Sequence, residues 1–245
     1  MVKAGIAVLT ARAASHAAGL VLPALLLWVH SPVAAVSIKP IMVELTSQKK
    51  VASVRLLNDS TEAVTFQAET LSWQQSDGED QYGSTQELIV APAIALIAPG
   101  ASQIFRVTLR QPAVAEVERA YRLVLEDIST SSHAQPGSVN LRFRHSLPLF
   151  VTPRAQALVS TQWSRCAAPA SKACVQLDNL GNRRVRVSTL AVEGPDWRQD
   201  VKGGGTVLAG ASRRWLFDLK AGLPAASRVI ATSDSTEKPI AVELR

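Results

Sequence analysis

The sequence predicts an all-β protein built from two consecutive β-sandwiches of immunoglobulin type. From Ser37 onward, apolar and polar residues alternate with the period of two that is typical of β-strands. Clusters of turn-forming residues interrupt these runs at short intervals. No long segment shows the helical period, and 47% of the residues are hydrophobic, which is enough for a buried core. Short strands separated by turns in this way favour immunoglobulin-type sandwiches.

Residues 1–35 differ from the rest of the chain, and we expect them to be a secretory signal. They contain Lys3 and Arg12 but no acidic residue, an apolar run at residues 17–29, and small residues up to Ala35. The apolar run is shorter than the roughly 20 residues that a transmembrane helix needs. A buried helix is the alternative interpretation, but no amphipathic face or cap accompanies the run.

We expect the first sandwich at residues 36–153. Its strand-like runs lie at residues 51–57, 64–69, 103–109 and 121–128. Clusters of Asn, Asp, Ser, Pro and Gly that predict turns lie at residues 58–60, 76–78 and 99–100.

We expect the second sandwich at residues 154–245, after the chain leaves a long apolar strand near Pro153. Its strand-like runs lie at residues 157–163, 174–177, 184–192, 213–219, 228–232 and 239–244. No close sequence repeat relates the two halves.

Cys166 and Cys174 are the two cysteines of the chain. In an exported protein such a pair is better explained as a disulfide than as a metal site, because no further His or Cys completes a zinc set. The short loop between them suits a disulfide at the base of a hairpin. We therefore expect a Cys166–Cys174 disulfide and no bound metal.

The residues available for catalysis argue against an enzyme. Only His133 and His145 of the four histidines follow the leader, and no phosphate loop, HExxH or GxSxG motif is present. We expect no catalytic residue and no cofactor. The formal charge is +6, but Lys and Arg are scattered along the chain, so a nucleic acid partner is not expected. No stable membrane insertion is expected either.

Residues 139–150, with the sequence VNLRFRHSLPLF, form the most informative segment. Val139, Leu141 and Phe143 are apolar, while the residues between them are polar, so a strand would place the two sets on opposite faces. The segment ends the first sandwich and follows a stretch rich in Ser, Gly and Pro. We interpret it as an edge strand able to pair with another chain. An ordinary half-buried strand is the alternative.

Six blocks of the sequence resemble one known family. They are KPIMVEL at residues 39–45, SWQQSDGED at 72–80, LIVAPAIALIAPGASQIFRVTL at 88–109, AYRLVLEDI at 120–128, SLPLFVTP at 146–153 and DNLGNRRVRV at 178–187. In this order they resemble the periplasmic chaperones of chaperone–usher pili, and most closely their archaic branch, which is related to spore-coat-like pili.

The resemblance implies an L-shaped arrangement of the two sandwiches with a cleft between them. It also implies a periplasmic location, 1:1 binding of pilus or fimbrial subunits, and delivery of these subunits to an outer-membrane usher. In such chaperones a strand completes the open fold of the subunit. By this analogy Val139, Leu141 and Phe143 would enter the hydrophobic groove of the subunit.

The resemblance also concerns the site that anchors the subunit. In the better-known branches an Arg and a Lys bind the C-terminal carboxylate of the subunit, but this chain has Met42 and Pro148 at those positions. Arg122 is therefore the first candidate for an anchor and Arg144 the second. The alternative is that both are solvated strand charges.

The resemblance further places Arg106, Asp127 and Asp234 at positions where these chaperones carry a buried charge network between the two domains. We expect this network to fix the orientation of the domains.

Two other classes of protein stay open at this point. A secreted adhesin or carbohydrate-binding module with two immunoglobulin-like domains would use exposed aromatic rings to stack on sugars; the candidates are Trp73, Trp163, Trp197 and Trp215. A secreted hydrolase is disfavoured by the scarcity of histidine.

Overall fold

The computed structural model describes residues 36–111, 116–130, 141–169, 172–219, 224–234 and 238–244. These residues form strands, turns and loops and contain no helix. The prediction of an all-β fold with two immunoglobulin-like domains is therefore confirmed. The expected leader at residues 1–35 lies outside the described residues. Within the described part of the chain, no helical segment has the length and apolar character needed to span a bilayer.

The first ten strands form two sheets that pack face to face. One sheet has the order β1-β3-β8-β6, and the other has the order β2-β10-β9-β4-β5 with β7 beside β4. The strands are β1 (Val36–Lys39), β2 (Val43–Leu45), β3 (Val51–Asn58), β4 (Val64–Ser76), β5 (Glu79–Ser84), β6 (Leu88–Ala91), β7 (Ile94–Ile97), β8 (Ser102–Leu109), β9 (Arg119–Asp127) and β10 (Arg144–Val151).

The alternation of apolar residues explains why these strands pack as a sandwich. In β3, Ala52, Val54 and Leu56 are buried while the residues between them are more exposed. Val54 pairs with Phe105 of β8, and both belong to a core that takes side chains from both sheets. Burial of this apolar surface is the main stabilising contribution to the sandwich.

The turn between β4 and β5 follows directly from its sequence. Asp77 and Gly78 both have positive φ values, 55° and 81°. Two such residues make the tight turn that matches the twist of a hairpin, and Asp-Gly is one of the pairs that adopt it readily. The turn predicted at residues 76–78 is therefore confirmed.

The remaining strands form the second sandwich. One sheet has the order β11-β12-β16, and the other has the order β14-β13-β17-β18 with β15 beside β13. The strands are β11 (Thr161–Arg165), β12 (Lys172–Asn179), β13 (Val185–Glu193), β14 (Arg198–Val201), β15 (Gly205–Val207), β16 (Ser212–Asp218), β17 (Arg228–Ser233) and β18 (Ile240–Glu243).

The two sandwiches use the same device at the end of one strand. Asn58 and Asn179 are both buried, and each side-chain amide donates hydrogen bonds to backbone carbonyls, including those of Ile97 and Val207 respectively. Buried amides are tolerated when they are hydrogen-bonded in this way. Each asparagine therefore ties the turn after its own strand to a distant segment.

The disulfide predicted between Cys166 and Cys174 is present, with the two Cα atoms 5.0 Å apart. The N–H of Cys166 also donates to the carbonyl of Cys174 at 3.2 Å. The disulfide therefore joins the ends of β11 and β12 where these strands begin to pair.

Candidate functional site

Strand β10 has different neighbours along its two edges. It pairs with β9 along its whole length, from Arg144 opposite Glu126 to Val151 opposite Arg119. On its other edge β2 pairs only with residues 149–151. No other described strand pairs with β10 on that edge, so the edge is open at residues 144–148.

The hydrogen bonds show which backbone groups face the open edge. The N–H of Asp127 donates to the carbonyl of Phe143 at 2.9 Å, so odd-numbered residues form the hydrogen-bonded pairs with β9. The N–H groups of Arg144 and Ser146 consequently point away from β9. The nitrogen of Pro148 also points away from β9, so the missing N–H removes no hydrogen bond between β10 and β9. Proline in a sheet is usually found at such an edge position.

The odd-numbered side chains of this segment divide into an exposed and a buried group. Leu141 is 70% exposed and Phe143 is 48% exposed, whereas Leu147, Leu149 and Val151 are buried in the core. The strand begins at Arg144 and not at residue 139, and Arg142 is exposed along with Leu141 and Phe143. The reason is that β9 ends at Asp127, which lies opposite Phe143, so no residue of β9 lies beside residues 141 and 142. Val139 lies outside the described residues.

Arg144 lies on the even-numbered face of β10 and is already paired. Its guanidinium contacts Glu69 at 2.7 Å and Glu126 at 3.4 Å. All three side chains are substantially exposed, so these ion pairs contribute little stability. Arg144 therefore has the surroundings of a compensated surface charge.

Arg122 has different surroundings, because its guanidinium lies over aromatic rings. The distance from its central carbon is 3.9 Å to the Trp73 ring and 5.5 Å to the Tyr82 ring. It also donates a hydrogen bond of 3.3 Å to the Tyr82 hydroxyl. No described carboxylate forms an ion pair with it. Arg122 is thus a partly exposed cation held in place by cation–π contacts, on the strand position that pairs with Pro148.

The region around Met42 contains a basic residue that the sequence did not indicate. Arg184, from the second sandwich, approaches the Met42 sulfur at 3.8 Å and lies 3.8 Å above the Phe150 ring. Its guanidinium pairs with Glu44 and Glu118, each at 2.5 Å. Arg184 belongs to the DNLGNRRVRV block, but nothing in that block shows that it reaches the first sandwich.

Glu118 is the buried member of this cluster, with a side chain only 2% exposed. Burial raises the pKa of its carboxyl group, while hydrogen bonds and charge from Arg184 act in the opposite direction. The backbone N–H of Arg184 also donates to Glu118 at 3.0 Å. The cluster therefore connects the two sandwiches through both charge and backbone hydrogen bonds.

The structure gives Arg106, Asp127 and Asp234 surroundings that differ from the expected charge network. Arg106 points outward from β8, and within the described ranges it forms no ion pair with either aspartate. Asp127 accepts hydrogen bonds from the backbone and hydroxyl of Ser129, and Asp234 accepts one from the backbone of Arg186. Both aspartates are used within their own sandwich.

A second group of contacts joins the sandwiches on the side of the β4–β5 hairpin. The Gln75 amide donates to the Thr206 carbonyl and accepts from the Leu208 N–H, both at 2.8 Å. Arg213 contacts Asp80 at 3.4 Å. Burial raises the pKa of Asp80, but hydrogen bonds from Gln75 and Trp73 and the charge of Arg213 leave it below its usual value.

The tryptophans are unsuited to stacking on sugars. Trp73, Trp163 and Trp215 are each at most 6% exposed, and Trp197 packs against the second core. Trp73 forms a buried cluster with Phe150 and Leu208 between the sandwiches. The described residues also contain no cluster of His, Cys, Asp and Glu that could hold a metal ion.

Comparisons with known proteins identify the family. The model of the pili and flagellar-assembly chaperone family, PapD N-terminal domain, matches residues 35–157. A chain of the CsuC–CsuE chaperone–tip adhesion subunit pre-assembly complex from archaic chaperone-usher Csu pili of Acinetobacter baumannii has a similar structure, with 23% identity and a TM-score of 0.67. That match covers 86% of this chain and 98% of the other.

Two further solved structures resemble the chain. The Escherichia coli chaperone DraB has 19% identity and a TM-score of 0.60, with coverage of 86% and 97%. A chain of the Salmonella enterica SafA pilin–SafB chaperone complex has 13% identity and a TM-score of 0.62, with coverage of 87% and 98%. A search of curated protein sequences found no match.

The fold and the open strand edge define a protein of two immunoglobulin-like sandwiches whose first sandwich has an incompletely paired strand. The chain belongs to the family of pili and flagellar-assembly chaperones. This family is periplasmic and non-enzymatic.

Proposed function

We propose that this chain is a periplasmic chaperone of the archaic branch that binds pilus subunits by donor-strand complementation and delivers them to an outer-membrane usher. In this proposal residues 1–35 direct export, residues 36–153 form the subunit-binding domain, and residues 154–245 form the second domain. The observation that carries the proposal is the open edge of β10, together with the exposed side chains of Leu141 and Phe143.

The open edge suits a β-strand as its partner. It offers unpaired N–H and C=O groups to a neighbouring strand, and strand addition is a recurring mode of recognition. An immunoglobulin-like subunit that lacks one strand would expose complementary backbone groups and an apolar groove. Both exposures are costly in water. Pairing the two surfaces in a 1:1 complex removes both costs, without any covalent step.

Apolar burial would supply most of the affinity. Leu141 and Phe143 are exposed in the free protein, so covering them would contribute about 1.5–3 kcal/mol each before the costs of association are subtracted. Val139 would extend the same row by one more position.

We assign the role of carboxylate anchor to Arg122 in preference to Arg144. Arg144 already contacts Glu69 and Glu126, and a further carboxylate there would meet two negative charges. The aromatic rings that hold Arg122 leave its charge uncompensated. The placement of Met42 and Pro148 at the usual basic positions supports an anchor of this different kind.

The proposal is tested by co-expressing the chaperone with an exported subunit encoded by a neighbouring open reading frame. Wild type should purify as a 1:1 complex, and the Leu141→Asp/Phe143→Asp double variant should lose it. The matched control is Ile94→Asp/Leu96→Asp, since both residues are exposed apolar residues of β7 in the same sandwich. A complex that survives the first pair of changes, or is lost equally with the second, contradicts the assignment.

The anchor is tested separately by measuring subunit affinity after Arg122→Ala, with Arg144→Ala as the control. A hydrogen-bonded charge contributes about 1.5–3 kcal/mol, so Arg122→Ala should weaken binding roughly tenfold to a hundredfold. Extending the subunit by one residue at its C-terminus should weaken binding to wild type but add little to the loss in Arg122→Ala. An unchanged affinity in Arg122→Ala removes this role.

A further inference from the structure

His145 continues the row of side chains to which Leu141 and Phe143 belong. Odd-numbered residues of β10 share one face, so His145 lies between the exposed Phe143 and the buried Leu147. Its ring stacks on Phe143, with the ring centres 6.2 Å apart and an interplanar angle of 26°. On the other side it lies 6.3 Å from the buried Phe66 ring. His145 thus stands where the donor residues meet the core.

One ring nitrogen of His145 is unsatisfied. Its Nε2 atom is buried and has no hydrogen-bond partner within the described part of the chain. Burial lowers the pKa of the imidazole, although the Asp127 carboxylate acts in the opposite direction. The surroundings therefore favour the neutral ring.

The other charged groups near this position do not face His145. Asp127, at the end of β9, is the one that acts on it, and its carboxylate already accepts two hydrogen bonds from Ser129. Arg144, Glu126 and Glu69 form their ion pairs on the opposite face of the sheet. On β4 the same face carries Phe66 and Ala68, and the core residues of β3 and β8 are uncharged.

We propose that His145 is part of the subunit-binding surface, and that the subunit binds the chaperone whose His145 imidazole is neutral. This inference rests on the proposed function. A subunit groove that covers Phe143 also covers the ring stacked on it, which removes the remaining access of water to the imidazole. Removing water from a neutral imidazole costs little free energy, as for other aromatic side chains. Removing water from a protonated imidazole is costly, because the charge loses its hydration. Subunit binding is consequently linked to proton release.

The test uses the same subunit, encoded by the neighbouring open reading frame, and measures the dissociation constant of the complex between about pH 7.5 and about pH 4.5. The range extends well below the ordinary pKa of histidine because burial lowers the pKa of His145. The dissociation constant of wild type should rise as the pH falls, by about tenfold per pH unit at most, because a single proton is involved. His145→Phe should bind with a dissociation constant that varies much less over this range. His145→Gln provides a second uncharged side chain in case the larger ring disturbs packing, and thermal unfolding verifies that both variants fold.

His133→Gln is the matched control, because His133 and His145 are the two histidines after residue 35. It should keep the pH dependence of wild type. If His145→Phe and His145→Gln keep it as well, or if wild-type affinity does not change with pH, the role of His145 is overturned while the proposed function stands. If wild type fails to bind the subunit at any pH, the proposed function fails and this inference with it.

Discussion

Residues 141–146 and residues 147–151 both carry apolar side chains at odd-numbered positions, but the first group is largely exposed and the second is largely buried. Leu147, Leu149 and Val151 lie in the core; β9 pairs with all three, and β2 pairs with Leu149 and Val151. Leu141 and Phe143 remain exposed, because β9 extends no further than Asp127, opposite Phe143, and β2 does not reach them. We call residues 147–151 the buried half and residues 141–146 the open half.

This difference teaches that apolar side chains alone do not define a core. The apolar side chains of the buried half pack within the core of the protein, so truncating them should lower stability. The open half has the same chemistry without a partner in the described structure, so under the proposed function its removal should affect binding. Exposed apolar side chains beside an open strand edge are the features that strand addition by another chain would cover.

The largest effect on stability should come from the buried half. Leu149→Ala removes a fully buried side chain and leaves a cavity, which typically costs about 2–5 kcal/mol of unfolding free energy. Leu141→Ala, the same change in the open half, should alter the unfolding free energy by less than about 0.5 kcal/mol. Denaturant unfolding of both variants measures this contrast. Equal losses in the two variants would show that the halves do not differ as described.

A smaller effect is expected from Pro148→Ala at the boundary between the halves. Proline reduces the conformational entropy of the unfolded chain, so its replacement should lower the unfolding free energy by about 0.4–1 kcal/mol. No hydrogen bond to β9 is at stake, because the nitrogen of this residue points to the open edge. A clear gain in stability, measured by the same denaturant unfolding, would mean that the new N–H finds a partner within the free protein.

The smallest effect is a pH dependence near the end of the buried half, where Phe150 lies beneath Arg184. Burial raises the pKa of Glu118 in the folded protein. Its contribution to stability is therefore largest at low pH and is lost as the pH rises through the folded pKa. The difference in unfolding free energy between wild type and Glu118→Gln should shift against wild type as the pH rises from acid to neutral. A shift in the opposite direction would mean that Arg184 outweighs burial.

Local sequence patterns predicted much of this fold. The two-residue period predicted the alternation seen in β3, Asp77 and Gly78 predicted a turn, and the two cysteines predicted the disulfide. The strand pattern and the turn depend on residues adjacent in sequence, and the disulfide joins the two cysteines of the chain.

The contacts between the sandwiches could not be predicted in this way. Arg184 reaches Glu44 and Glu118 across more than sixty residues of sequence, and which of several arginines does so depends on how the sandwiches pack. The sequence also did not indicate that Asp127 accepts hydrogen bonds from Ser129 and Asp234 accepts one from Arg186. The residue at which β10 begins depends on where β9 ends. The alternation within residues 139–150 contains no information about the end of β9.

The most direct test of the open edge is amide hydrogen exchange, measured residue by residue in the free chaperone and in its complex with a subunit. In the free protein the N–H groups of Arg144 and Ser146 should exchange rapidly, while those of Leu147 and Leu149 should be protected by β9. Binding of the subunit should protect Arg144 and Ser146 and leave Leu147 and Leu149 unchanged. Protection of Arg144 and Ser146 in the free protein, or rapid exchange of both in the complex, would contradict pairing of a subunit strand with this edge.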